Sequence, residues 1–93
     1  MPEKKVTVTV ASGQITVDPM SIQVKKDHDN VKWICDTSQF TVDLPGYKIQ
    51  YRQEGPKYVG VSGMFPVVGK VKYDVSAPGA ETLDPDVDII PNI

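Results

Sequence analysis

The chain has 93 residues, 40% of them hydrophobic and 24% charged, with a formal net charge of -2. That length predicts one domain spanning residues 1–93, which buries roughly 60–68% of its unfolded surface and so builds a single core. An acidic balance with only ten Lys and Arg, spread along the chain, excludes general affinity for nucleic acid or for an anionic membrane surface.

Cys35 is the one cysteine, so no disulfide forms within the chain. The opening Met1-Pro2-Glu3-Lys4-Lys5 has no apolar signal region, and no apolar run approaches the ~18 residues of a membrane span. The expected compartment is the cytoplasm, or the periplasm if a leader has been removed.

Period two dominates from the start. Val6, Val8 and Val10 alternate with Thr7 and Thr9, the pattern of a half-buried strand. Ala11-Ser12-Gly13-Gln14 turns the chain, and Ile15 and Val17 resume the run. Asp18-Pro19 bends it before Ile22 and Val24. Lys26 to Asn30 has turn chemistry and reads as an exposed loop around His28.

Val31, Trp33 and Cys35 share one face of the next strand, and Phe40, Val42 and Leu44 share a face of the one after it. Beyond Pro45-Gly46, the residues Tyr47, Ile49 and Tyr51 alternate with polar neighbours. Glu54-Gly55-Pro56 marks a turn, and Tyr58, Val59 and Val61 form a short strand weakened by Gly60. Met64 to Val68 reads as a packed crossover interrupted by Pro66. Val71, Tyr73 and Val75 alternate in one further strand, and Val87 and Ile89 supply the last. No window has helical spacing, and eight prolines punctuate the chain. Seven or eight short strands at intervals of about ten residues predict an all-β sandwich or barrel.

Two segments carry a resemblance to cupredoxins. Val31-Lys32-Trp33-Ile34-Cys35-Asp36, followed by Phe40-Thr41-Val42, is similar to the family's V-x-W/F-x-N-x-D strand and the H-x-V that follows it. Gly69-x-Val71-x-Tyr73-x-Val75 is similar to G-x-Y-x-Y-x-C, which continues C-x2-H-x4-M. An immunoglobulin-like sandwich produces comparable alternation, but the spacing matches cupredoxins at both ends of the site. The resemblance implies a two-sheet Greek-key sandwich, and it places the copper ligands at Phe40, Val75, Pro78 and Leu83. None of these side chains binds copper, which in such sites takes two imidazoles, a thiolate and a weak axial ligand. The resemblance therefore implies a metal-free scaffold with an apolar plug at the former site, and no cofactor.

Other chemistry is thinly represented. His28 lies between Asp27 and Asp29, adjacent residues that seldom converge on a metal. Cys35 shares its face with Trp33 and belongs to the core. Ser12 and Ser62 lack the strand–turn–helix setting of a nucleophile elbow. Asp84, Asp86 and Asp88 alternate with Pro85, Val87 and Ile89, as on a charged edge strand. No catalytic constellation can be assembled, so the chain is not expected to be an enzyme.

Tyr47, Tyr51, Arg52 and Tyr58 are residue types favoured at protein interfaces. Ile89 to Ile93 is apolar enough to pack on its own sheet or to add to another chain. The expected role is a non-catalytic binding or assembly module with a protein partner or a second copy. The alternative is a copper electron-transfer protein using His28, Cys35 and Met64.

Overall fold

The structure, a computed structural model, describes residues 3–92 and contains strands and turns with no helix among them. Consequently none of the described residues forms a helix long and apolar enough to cross a membrane. In chain order the strands are β1 (Glu3–Ala11), β2 (Gln14–Asp18), β3 (Ser21–Lys25), β4 (Asn30–Cys35) and β5 (Thr41–Asp43). They continue with β6 (Gln50–Glu54), β7 (Lys57–Val61), β8 (Gly69–Lys72), β9 (Asp74–Ser76) and β10 (Asp86–Ile90).

A five-stranded sheet has the order β2-β1-β4-β7-β6, a three-stranded sheet the order β3-β10-β8, and β5 pairs with β9. Both parallel and antiparallel ladders occur. β1 runs parallel to β4 and β10 parallel to β3, while the other pairings are antiparallel. The two smaller sheets are nearly continuous through Tyr73, and together they face the large sheet across one shared core.

The alternation seen in the sequence places its residues on the expected faces. Val6, Val8, Ile15, Val17, Val31, Trp33 and Cys35 are buried from the large sheet, and Ile22, Val24, Tyr73, Val75, Val87 and Ile89 from the other side. At the centre the Trp33 indole Nε1 donates a 3.0 Å hydrogen bond to the Tyr73 hydroxyl, and the two rings meet edge to face. Burial holds the Tyr73 phenol above its ordinary pKa, so it stays protonated and polar inside the core.

There are more strands than the alternation predicts because two runs are broken. The stretch from Gln14 to Lys25 leaves one sheet and enters the other at Asp18-Pro19-Met20, so β2 and β3 are successive parts of a single crossing. The expected strand through Val71, Tyr73 and Val75 splits at Tyr73, whose amide donates to the Pro85 carbonyl. The expected strand from Tyr47 begins only at Gln50. Tyr47 instead closes a turn on Leu44 and packs its ring against Phe65.

Met64 to Val68 is a crossover without ladder pairing, as expected, with Phe65 buried and Val67 two-thirds exposed at 66%. β10 is not an edge strand: it lies between β3 and β8, so the acids of Asp86 and Asp88 occupy the outward face of a central strand. Of its C-terminal apolar run, Ile89 is buried in the shared core and Ile90 pairs with Lys25 of β3. Ile93, the last residue of that run, lies outside the described residues.

Turn chemistry explains the connections. Ser12 and Gly13 both have positive φ in the two-residue turn between β1 and β2, as a type I′ hairpin demands. Where β7 ends, Ser62 replaces one ladder bond. Its amide donates to Val31 O, its hydroxyl accepts from the Val31 amide at 2.9 Å, and the same hydroxyl donates to Gly63 O. Ser62→Ala therefore strands a buried amide. The expected cost is about 1–2 kcal/mol in denaturant unfolding, and Ser62→Thr, which keeps the hydroxyl, should recover most of it.

Candidate functional site

β5 and β6 form one lateral side of the molecule, β5 from the smaller layer and β6 at the end of the large sheet. Between them lies an open groove of about 390 Å³. Its floor and walls include Phe40, Tyr51, Arg52, Tyr58 and Pro78, with Gln39 and Gln53 at the rim. Residues from both sets named by the sequence thus meet in one place: two of the copper-ligand positions and three of the candidate contact residues.

Tyr51 organises this groove. It stands on the inward face of β6, yet at the free edge its ring is half exposed, at 49%. The ring packs edge to face on Phe40, and its hydroxyl reaches β5, accepting from the Val42 amide at 2.8 Å and donating to the Val42 carbonyl at 3.1 Å. Val75, opposite Val42, exchanges its own backbone bonds with Leu83. Val42 therefore presents both polar groups outward, and a single hydroxyl satisfies them. Gly60, opposite Tyr51, leaves room for the ring, since a Cβ there would sit 3.2 Å from Tyr51 Cε1 and from Ile49 Cγ2.

Arg52 points to the other face of β6. Its Nε donates to Glu54 at 2.6 Å, and Lys32 reaches the same carboxylate at 3.2 Å. The Arg52 and Lys32 hydrogen bonds hold the Glu54 carboxyl below its ordinary pKa. Val59 lies on this outward face between Ile34 and Arg52, yet it is almost fully buried and stands apart from the central core. The long charged stems around it account for its burial.

The four copper-ligand positions divide. Phe40 and Val75 are buried in the core, and Leu83 is half-buried and bridges Val75 through paired backbone bonds. Pro78 does not join an apolar plug. It is exposed on the loop after β9 and lines the groove. Of the contact candidates, Tyr51, Arg52 and Tyr58 line the groove, whereas Tyr47 is half-buried against Phe65, away from it.

His28, Cys35 and Met64 are not brought together. Cys35 ends β4, whereas His28 and Met64 lie near its beginning, where the Asp27 amide donates to Phe65 O. The length of β4 alone separates them by roughly 16 Å. No group of three or more His, Cys, Asp or Glu side chains is placed to hold a metal among the described residues. The loop around His28 is also not uniformly solvated. Asp29 is 2% exposed and accepts from the Lys25 amide at 2.9 Å and from the His28 Nδ1 at 2.8 Å. Sequence reading missed this carboxylate, whose only local signal is turn chemistry four residues after Lys25.

No protein-family model matches the chain, and no curated protein matches it. Among solved structures it is similar to a cysteine protease inhibitor from Entamoeba histolytica, with a TM-score of 0.51 and 15% identity over 95% of this chain and 97% of that one. At that identity the likeness is one of fold alone, shared along nearly the whole of both chains.

Proposed function

We propose that the chain is a metal-free, cupredoxin-like Greek-key sandwich, a single domain that acts as a non-catalytic protein-binding module through the groove between β5 and β6. The observation that carries this reading is the convergence of Phe40, Tyr51, Arg52, Tyr58 and Pro78 on one open groove. Aromatic rings around a concave surface are residue types that anchor protein contacts, and the Arg52 side chain stands beside them on the outer face of β6. The Entamoeba protein supports binding over catalysis, because inhibition of a protease is itself performed by binding a protein.

The immobilised chain, exposed to extract of its native host, should retain a partner that Tyr51→Ala/Tyr58→Ala does not retain. The expected loss of affinity is at least about 30-fold, the scale of a dominant interface residue. A substitution at exposed Val67, away from the groove, should leave retention unchanged. Equal retention by all three proteins would remove the groove from the function. A copper titration should give no intense thiolate absorption band, and such a band, lost on Cys35→Ser, would overturn the metal-free assignment.

A further inference from the structure

The two edges beside the groove are treated differently. On β5 the outward amide and carbonyl of Val42 are closed by the Tyr51 hydroxyl. On β6 the pairing with β7 begins at Glu54 and Lys57, which flank the two-residue turn Gly55-Pro56. In an antiparallel ladder bonded and non-bonded pairs alternate from that closing pair, so Gln50, Arg52 and Glu54 bond to β7. Tyr51 and Gln53 turn their amides and carbonyls outward, and neither amide makes a hydrogen bond among the described residues. The β6 edge is therefore open where the β5 edge is closed.

We propose that β6 is a self-association edge, at which a second copy of this chain pairs antiparallel across a two-fold axis at Gln53 and joins the two five-stranded sheets into one of ten strands. This rests on reading the chain as a protein-binding module, but it uses the strand edge and names the partner. The charges select the register. With the axis at Gln53, the outward backbone groups of Gln53 bond to those of its counterpart. Arg52 then lies directly opposite Glu54 of the second copy, twice by symmetry, in the closely spaced non-bonded pairs. An axis at Arg52 sets two arginines face to face and is disfavoured. Arg52 and Glu54 already share one face and contact each other beside Lys32, so the dimer brings two Arg52–Glu54 pairs together on one surface. Charged residues on an edge strand commonly deter pairing. Here the two signs, two residues apart, are complementary to their own antiparallel copy. With this axis only Arg52, Gln53 and Glu54 of each strand face one another, a three-residue seam, so the dimer is weak and salt-sensitive.

Sedimentation velocity on the full chain, from about 10 µM to 1 mM, tests this. The wild type should pass from monomer to dimer within that range, and added salt should shift the transition to higher concentration. Gln53→Pro removes an outward amide without touching the β6–β7 ladder, so it should stay monomeric with an unchanged melting temperature. Arg52→Glu and Glu54→Arg should each be monomeric alone and should dimerise when mixed in equal amounts, because the mixture restores opposite charges in both pairs.

A wild type that is monomeric throughout overturns the proposal, as does a dimer that survives Gln53→Pro or a mixture that stays monomeric. A monomeric wild type that still retains a host partner sensitive to Tyr51→Ala/Tyr58→Ala separates the two readings: the edge proposal falls and the groove reading stands.

Discussion

Replacing Trp33 with alanine should lower the melting temperature by at least about 12 °C. Trp33 is completely buried, and it links the layers through its contact with Tyr73. Truncating a buried tryptophan costs about 3–5 kcal/mol in transfer and cavity terms. A domain of this size holds roughly 5–14 kcal/mol in total, and each kcal/mol moves the midpoint by about 4–8 °C. Calorimetry is the suitable measurement, since the substitution removes the chain's one indole fluorophore. Tyr73→Phe separates packing from polarity, because it keeps the ring and leaves the indole N–H without its partner, at about 1–3 kcal/mol. A Trp33→Ala midpoint within a few degrees of the wild type would show that the two layers do not depend on this contact.

Asp29→Ala should cost about 2–3 kcal/mol near neutral pH, the scale of hydrogen bonds made to a charged group. Burial by itself would raise the Asp29 carboxyl. The Lys25 amide, the His28 imidazole and the nearby Lys4 more than offset it, and the group lies below its ordinary value. The unfolded chain keeps the ordinary value of about 3.9. The stabilisation is therefore complete above that pH and is lost as pH falls through the lower, folded value. Urea midpoints measured from neutral pH downward should decline below about pH 4 in the wild type. The decline should be shallower in Asp29→Ala, which has no such carboxylate to protonate. Parallel curves for the two proteins would assign the acid sensitivity to other groups.

Alternation along the chain revealed which residues face the core, because a strand exposes its side chains with a period of two whatever lies beside it. Val31, Trp33 and Cys35 were assigned correctly on that basis, as were Phe40, Val42 and Leu44. Sheet membership is a different quantity. Nothing in the acids of Asp86 and Asp88 distinguishes an edge from a central strand, and β10 acquires its two neighbours only from distant segments. Val59 shows the same limit from the other direction, since its burial comes from side chains two strands apart.

The groove was half visible. Its arginine and tyrosines stood out by residue type, and Phe40 and Pro78 by the cupredoxin resemblance. Their meeting depends on Tyr51 spanning the layers to Val42, a contact between strands that no local pattern announces. Tyr47 stands apart from the groove because a turn on Leu44 delays the start of β6 to Gln50.

The passage of one continuous run, β2 into β3, from the large sheet to the smaller layer has a mechanical consequence. The chain also crosses between the layers from β5 to β6, through residues 44–49 beside the groove, so both lateral sides carry a covalent link. Separation of the layers at the groove is therefore limited twice, by that short connection and by the bonds of the Tyr51 hydroxyl to Val42.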